Sequence, residues 1–307
     1  MRPTCISAMA LFCCAVTLLR PAAAETTICT AITSIPYTIT APGVYCLNFD
    51  FNVSLASGSA ISINASNVTL DMNRHLLSNL AAGANNYAYG ISSTYQKNVV
   101  IKNGSVQGFF FGVELNDASP YTNTQGNVIE DIAAARNTIA MYVAGQSNLL
   151  LHNRISQTGG PTGALAIYLA GPDNIVRGNE ITEVGSATVN GTAIYCYSCT
   201  SAIVEDNRII GVAAPVSSVS MGIYLVSSSY SSIRNNILDK ADASGVGYSG
   251  STGISLTSST DNSVVGNQIN AFYYGIYAPA GSSAETSGNV VIGSSMPVVG
   301  TTPATLY

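Results

Sequence analysis

Short alternations of apolar and polar residues recur along the chain from about residue 60 to the C-terminus. Each repeat opens with a small residue followed by an aliphatic, a polar or aromatic, and a second aliphatic residue, as in Gly222-Ile223-Tyr224-Leu225. About a dozen residues later comes an Asn-x-aliphatic phrase. Alternation with a period of two indicates short β-strands, and a repeated unit of this length indicates a coil of stacked strands.

The first aliphatic residue of each phrase recurs at intervals from 22 (Ile91 to Val113) to 31 residues (Ile223 to Ile254). A helical repeat would keep a tighter period and show a stripe of about 3.6 residues, so strands joined by turns of variable length fit better. These positions predict about nine rungs, each pairing with the next: Ile61, Ile91, Val113, Met141, Ile167, Ile194, Ile223, Ile254 and Ile276.

The asparagine of the second phrase has a structural explanation. A stacked amide can donate a hydrogen bond to the unit on one side and accept one from the unit on the other. We therefore predict an asparagine ladder at a bend between strands, formed by Asn73, Asn103, Asn153, Asn179, Asn207, Asn236 and Asn267.

The N-terminus has the pattern of a signal peptide. Arg2 precedes an apolar run from Ile6 to Leu19, and Ala22-Ala23-Ala24 provides a small-residue cleavage site. The run is too short to span a bilayer comfortably, and no later segment is a transmembrane candidate. We expect residues 1–24 to be removed and the mature chain to be periplasmic, on the cell surface or extracellular.

Four of the seven cysteines remain after cleavage. In an exported protein a disulfide is the default expectation. Cys29 and Cys46 flank two proline-containing turns, so we predict that their disulfide closes an N-terminal cap over residues 25–59. Cys196-x-x-Cys199 has neither two further zinc ligands nearby nor a thioredoxin-like context, which favours a structural or unpaired role. Their pairing stays open, and we expect no metal and no cofactor.

Charge excludes one class of partner. Loss of Arg2 and Arg20 leaves 9 basic residues of 11 against 16 acidic ones, a net charge of −7 for the mature chain, and only 9% of the full chain is charged. No basic block is present, so a nucleic-acid partner is not expected.

The phrases from about 60 to 292 resemble the right-handed parallel β-helix repeats of the pectate-lyase-like superfamily. The entry region is similar to that of secreted bacterial members over 38–47 and 67–76, except that Arg74 stands where glycine is usual. The resemblance implies an all-β, single-stranded right-handed parallel β-helix over 60–292, with residues 293–307 as a C-terminal cap or tail. It does not imply one function, because the fold hosts lyases, hydrolases, epimerases and adhesins.

Catalytic motifs of these enzymes are not found. The polygalacturonase-like signature is missing, and the lyase-like candidates Asp71, Lys97, Lys102 and Glu130, with Glu114 and Asp131 beside them, are expected to be scattered between faces. Acid–base chemistry needs groups that converge on one bond. His75 follows Asp71 by four residues, but a turn position is favoured for it, and His152 is expected to be exposed.

Charged residues alternate in sign along two predicted columns, Arg177–Glu205–Arg234 and Arg154–Glu180–Arg208. Stacked rungs lie about 4.8 Å apart, so opposite charges would face each other and specify register. A groove for acidic polysaccharide would instead require a basic column.

The outward position between the two aliphatic residues is tyrosine in several rungs. These residues form a candidate binding strip together with Tyr197, which lies on the same side of its strand: Tyr142, Tyr168, Tyr195, Tyr224 and Tyr277. A self-stabilising aromatic stack and a carbohydrate-binding surface both explain the pattern. We predict an exported β-helix scaffold that contacts polysaccharide or a cell-surface glycan. Two alternatives stay open: an enzyme (polysaccharide lyase, glycoside hydrolase or epimerase) with an atypical site, and a purely structural or adhesive protein. No oligomeric state is indicated.

Overall fold

The computed structural model describes residues 28–186, 188–215, 218–241, 250–300 and 302–303. The chain forms a right-handed parallel β-solenoid, which confirms the predicted fold class. In these ranges the one helical element is a 3₁₀ turn at Leu80–Ala82, and no helix is long and apolar enough to cross a membrane. The predicted signal peptide lies outside the described residues.

One face of the coil is an 11-stranded parallel sheet, here called the first sheet. All nine predicted aliphatic positions pair in register along it, from Ile61 with Ile91 to Ile254 with Ile276, and one further strand lies at each end. Its strands are β2 (Tyr37–Ile39), β5 (Ser57–Ile63), β8 (Tyr87–Thr94), β10 (Phe111–Asn116), β12 (Ile139–Ala144), β15 (Ala164–Ala170), β18 (Gly191–Tyr197), β21 (Met221–Val226), β24 (Thr252–Thr257), β27 (Tyr274–Tyr277) and β30 (Met296–Val299).

The other two faces are connected into one 20-stranded sheet because β9 (Val100–Gln107) and β11 (Val128–Ala135) run through both. The second face also contains β1 (Thr30–Ile32), β3 (Gly43–Leu47), β6 (Val68–Asp71), β13 (Leu149–Leu151), β16 (Ile175–Arg177), β19 (Ile203–Glu205), β22 (Ser232–Arg234), β25 (Asn262–Val265), β28 (Ala284–Ser287) and β31 (Thr302–Pro303). The third face contains β4 (Phe51–Asn52), β7 (Leu76–Ser78), β14 (Arg154–Thr158), β17 (Glu180–Val184), β20 (Arg208–Val212), β23 (Ile237–Asp239), β26 (Gln268–Asn270) and β29 (Val290–Ile292).

The core is a set of aliphatic columns that run along the coil axis. Ile167, Ile194 and Ile223 are fully buried on three successive rungs of the first sheet. The tyrosine that follows each of them is only half-buried, as period-two alternation requires. Each inward side chain packs on its counterparts above and below, so the core has no single centre and extends with every rung.

Buried asparagines form a continuous ladder between the second and third faces. The Oδ1 of Asn207 accepts hydrogen bonds from the backbone N–H of Asn179 at 3.0 Å and from its Nδ2 at 2.9 Å. The Nδ2 of Asn207 donates to the carbonyl of Val176 and to Asn236. The same pattern links Asn153, Asn179, Asn207, Asn236, Asn267 and Asn289.

Two predicted ladder members occupy other positions. Asn103 has a φ of 55° and belongs to the column of left-handed residues that precedes the ladder, as His152 does. Gly104 takes the ladder position, pairing with Ile132, and a Cβ there would clash with Met72. Asn103 donates instead to the carboxylate of Asp71, and Asn73 donates to the carbonyl of Leu47.

A second amide ladder was not predicted. Asn127, Asn148 and Asn174 connect successive rungs at the bend before the second face, with amide-to-amide distances of 3.0 Å. The column continues through Ala202 and Ser231 to Asn262 by backbone-to-side-chain hydrogen bonds. Because serine and alanine interrupt this column, asparagine does not recur on every rung, as it does in the first ladder.

The alternating charges lie in register as predicted. Glu205 is buried and accepts hydrogen bonds from Arg177 and Arg234 on the rungs to either side. Burial opposes its ionisation, but the hydrogen bonds from Arg234 and Arg177 outweigh that effect and hold the pKa of the Glu205 carboxyl below its ordinary value. In the more exposed column, Glu180 lies 3.3 Å from Arg154 and 3.8 Å from Arg208.

Cys29 and Cys46 form the predicted disulfide. The segment predicted as a cap already takes part in parallel pairing: β1 pairs with β3 inside it, and β2 pairs with the part of β5 that follows it. The turn at Arg74 is made without glycine: Asn73 and Arg74 both have positive φ, and the Arg74 N–H donates to the carbonyl of Asn103. The boundaries at residues 59 and 292 stay predictions.

We expect Asn207→Ala to lower the free energy of unfolding by about 2–4 kcal/mol, because it leaves a buried N–H and a buried carbonyl without partners. Urea unfolding followed by far-ultraviolet circular dichroism measures this. The matched control is Gln268→Ala on the exposed surface, for which we expect a change within about 0.5 kcal/mol. Equal effects of the two substitutions would contradict a stabilising ladder.

Candidate functional site

The predicted tyrosines occupy one outward column of the first sheet. Tyr142, Tyr168, Tyr195 and Tyr224 pair directly in register on four consecutive rungs. Their ring centroids are 4.5, 5.3 and 5.3 Å apart in that order, and the interplanar angle grows from 1° to 37° to 52°. These four residues are called the tyrosine column below. Each contact contributes about 0.5–1.5 kcal/mol beyond the area that it buries.

The other two predicted tyrosines lie beside or beyond this column. Tyr197 pairs with Ala170 and Val226 in the next outward column and is 40% exposed. Tyr277 follows the buried Ser255 in register, and its ring packs on Tyr274 at 4.8 Å. The structure therefore groups Tyr197 with the tyrosine column and places Tyr277 past an interruption.

Aromatic residues that the sequence analysis did not select extend the column in the N-terminal direction. Phe111 lies three residues before Glu114, which takes the column position on β10, and its ring meets Tyr142 at 5.5 Å and Tyr89 at 5.1 Å. Phe110 contacts Phe111 at 4.9 Å and Tyr87 at 5.3 Å. On their rungs these aromatic residues lie three to five positions before the column position, so the rung-to-rung comparison of that position does not find them. The tyrosine column with Tyr87, Tyr89, Phe110 and Phe111 is called the aromatic face.

A short loop, residues 117–124, begins at the end of β10 beside this face. Asp117 holds it by accepting hydrogen bonds from the backbone N–H groups of Ala118, Asn123 and Thr124 at 2.7–2.9 Å. Burial opposes ionisation of Asp117, but these bonds, led by those from Thr124 and Asn123, hold the pKa of its carboxyl below the ordinary value. The loop is thus a fixed structure.

The loop places Tyr121 against the tyrosine column. A Cβ added at Gly171 would lie 2.9 Å from the Cβ of Tyr121, so the loop reaches the backbone two rungs further along the coil. Ala144 and Ala170, at outward positions next to the column, are fully buried. Burial, with the nearby Tyr197 among other groups, raises the pKa of the Tyr121 hydroxyl. Tyr121 and Tyr197 form one side of the aromatic face.

Burial also raises the pKa values of Tyr142, Tyr168 and Tyr195. Nearby ionisable groups add to each shift: Glu114 acts on Tyr142, Tyr142 acts on Tyr168, and Tyr224 acts on Tyr195. A hydrogen bond with Tyr168 acts in the opposite direction on Tyr142. The hydroxyls are therefore neutral at any physiological pH. Each can donate as well as accept a hydrogen bond at the edge of its ring.

Glu114 is the only charged residue in the 11 strands of the first sheet. It pairs with Ser92 on one side and with Tyr142 on the other, at the N-terminal end of the tyrosine column. The side chain is half-buried among aromatic rings, and this burial raises the pKa of its carboxyl to about 7. The carboxylate in turn raises the pKa of Tyr89 and Tyr142.

Three of the predicted catalytic candidates lie on the second face. Asp71, Lys102 and Glu130 pair in register on three rungs, so the expectation of scatter was wrong for these three residues. Glu114, by contrast, lies on the first sheet. Lys102 Nζ lies 3.8 Å from the buried Asp71 carboxylate. Lys97 is exposed in the turn after β8 and pairs with Gln125.

The column of Asp71, Lys102 and Glu130 continues through Leu151 to Arg177, Glu205 and Arg234. The candidates are thus the N-terminal part of the alternating-charge column, in which Lys102 lies beside Asp71 and Glu205 lies between Arg177 and Arg234. A catalytic role for them stays an untested hypothesis.

The histidines and free cysteines lie away from a reactive arrangement. His75 Nδ1 lies 3.1 Å from Asp50, so its carboxylate neighbour is not Asp71. His152 is exposed. Cys196 and Cys199 are free and buried beneath the first sheet, and burial together with Cys196 raises the pKa of the Cys199 thiol. Across the described ranges no three His, Cys, Asp or Glu side chains come close enough to hold a metal ion.

Glu114→Gln should stabilise the protein only at neutral and alkaline pH. The pKa of Glu114 in the folded state lies above the reference value of 4.5, so wild-type stability falls as the pH rises from 4.5 through about 7. We expect the substitution to raise the free energy of unfolding by on the order of 1 kcal/mol at pH 8 and to leave it unchanged at pH 4. The value at pH 8 takes into account that solvent screens a partly exposed group. Urea unfolding across this pH range measures the difference, with the exposed Glu285→Gln as the control. A gain that is independent of pH would contradict the assignment.

Solved structures with the same fold include proteins that act on polysaccharides. The alginate lyase from Paenibacillus sp. str. FPU-7 is 16% identical, with a TM-score of 0.60 over 83% of this chain and 95% of the lyase. The mannuronan C-5 epimerase AlgE4 A-module of Azotobacter vinelandii is 13% identical, with a TM-score of 0.54 over 85% and 80%.

The Dettilon tailspike protein gp208 is 15% identical, with a TM-score of 0.54 over 88% of this chain, which spans 60% of the tailspike's length. At these identities the similarity shows the fold alone. No curated protein sequence matches significantly. The family model for the right-handed beta helix region matches residues 111–291, more than half of the chain. The chain therefore belongs to the right-handed β-helix family.

Proposed function

We propose that this protein is exported and binds a polysaccharide or cell-surface glycan along its aromatic face. The observation that carries the proposal is the unbroken set of ring contacts from Tyr87 to Tyr224 on one face of the coil. A contiguous, partly exposed aromatic surface is typical of a binding site. Aromatic rings stack on the C–H faces of sugars, and the neutral tyrosine hydroxyls supply hydrogen bonds at their edges.

The shape of the surface supports a linear ligand. In-register strands set the column positions about 4.8 Å apart along the coil axis, so the face offers repeating contacts in one direction. The loop with Tyr121 covers one side, and Asp117 holds it in place before any ligand arrives. A preorganised wall lowers the ordering cost of binding. The alginate lyase and the mannuronan epimerase among the structural neighbours agree with this ligand class.

A second candidate function is cleavage or epimerisation of the glycan on the same face. Glu114 favours it, because a carboxyl that titrates near neutral pH next to Tyr142 meets the requirement for general acid–base catalysis. Incubation with uronate polysaccharides and with neutral glucans tests this candidate. The measured quantities are unsaturated products and new reducing ends. We expect any such activity to be lost in Glu114→Gln and kept in Glu285→Gln.

The double variant Tyr168→Ala/Tyr195→Ala should reduce affinity for a bound glycan at least about 10-fold, because it removes two central rings of the aromatic face. Glycan array screening identifies the ligand, and isothermal titration measures the affinity. Tyr230→Ala is the matched control, since Tyr230 is 66% exposed in a turn away from the first sheet. Undiminished binding by the double variant, or no glycan binding by the wild type, would refute the proposed function.

Tyr121 can be tested by substitution, because its loop lies outside the core. Tyr121→Ala removes the ring from one side of the aromatic face, and we expect it to weaken glycan affinity about 3- to 10-fold with little loss of stability. If Tyr121→Ala weakens binding no more than the Tyr230→Ala control does, the loop is not part of the binding site.

A further inference from the structure

We propose that Glu114 makes the aromatic face selective for uncharged glycans and excludes polyanionic ones. This inference rests on the proposed function and names its ligand class. The structural basis is the composition of the first sheet: 11 strands contain one charged side chain, and that side chain is an acid located in the aromatic face. A uronate chain lying along the column would meet no cation on these strands.

The groups that face Glu114 from the neighbouring strands are neutral, and the carboxylate of Asp117, just after β10, is bound by backbone N–H groups of its own loop. On β8 they are Ser92, which pairs with Glu114 in register, and Tyr89, whose pKa is raised by burial and by the charge of Glu114. On β12 the facing group is Tyr142. Lys97 and Arg136 lie in turns beyond the strand ends, and the Nε of Arg136 donates to Gln157.

The surroundings determine how strongly a ligand charge is felt. Half-burial among rings leaves little water to screen a carboxylate, so a second carboxylate brought next to it is repelled more strongly than at an exposed site. The protonated acid has no such effect and can donate a hydrogen bond to a sugar oxygen. Because the pKa of this carboxyl is about 7, the site is neutral at slightly acidic pH and carries a negative charge at slightly alkaline pH.

Neutral and anionic ligands should therefore respond differently to pH. Affinity for a neutral oligosaccharide should change little between pH 5.5 and 8.5. Affinity for an oligouronate of the same length, whose carboxylates are ionised at both pH values, should fall about 10-fold or more as Glu114 ionises. Added salt should reduce this difference, because it screens the repulsion.

Isothermal titration with neutral hexasaccharides of glucose and mannose and with hexagalacturonate and hexamannuronate tests the proposal at both pH values. Wild type, Glu114→Gln and Glu285→Gln are compared; the two variants make the same charge change, but Glu285 is exposed on the second face. We expect wild type and Glu285→Gln to prefer neutral glycans at pH 8.5. Glu114→Gln should bind uronates about 10-fold more tightly than wild type at pH 8.5 and similarly at pH 5.5.

Two results would overturn the inference while leaving the proposed function intact. One is wild-type binding of uronates at pH 8.5 as tight as that of neutral glycans. The other is a Glu114→Gln variant whose uronate affinity equals that of wild type at pH 8.5. Absence of glycan binding by wild type, or binding that is insensitive to Tyr168→Ala/Tyr195→Ala, would overturn the proposed function and the inference with it.

Discussion

In-register parallel pairing between successive rungs is the constraint on which the rest of the structure depends. It places each residue directly against the equivalent residue one turn away, so every position in the repeat becomes a column along the axis. A column must then be compatible with itself. Aliphatic residues meet this condition by packing, amides by reciprocal hydrogen bonding, charges by alternating in sign, and aromatic rings by stacking. The ladder through Asn179 and Asn207 and the column through Arg177 and Glu205 are two solutions of one geometric problem.

The same constraint explains why much of the molecule follows from its sequence. Positions that repeat carry a periodic signal, and the aliphatic, tyrosine and alternating-charge columns all lie where that signal predicts them. Asn103 shows the limit of the method. A shift of one residue moves a side chain out of the ladder into the neighbouring column of residues with positive φ. Asparagine occurs at both positions, so the residue type alone does not distinguish them. The two positions differ in their backbone dihedral angles, which cannot be read from the sequence.

Features outside the repeat escape a periodic analysis for the same reason. Tyr121 belongs to a loop with no counterpart on other rungs, so its approach to Gly171 depends on the fold of that loop around Asp117. The convergence of Asp71, Lys102 and Glu130 was also missed, although all three are in register. The turns between these residues differ in length, and their alignment becomes visible only when the strand pairing is known.

Register also limits where a function can reside. A column that is compatible with itself has satisfied its own interactions, as the Glu205 column has by pairing each charge, and it offers little to a ligand. The tyrosine column differs because its rings stack between rungs and yet remain partly exposed. Glu114 is a further exception, since neither Ser92 nor Tyr142 beside it supplies an opposite charge. A carboxyl kept without a counter-charge in an otherwise uncharged sheet destabilises the fold at neutral pH, and a structural role does not explain its position. The ligand proposed for the aromatic face would explain it.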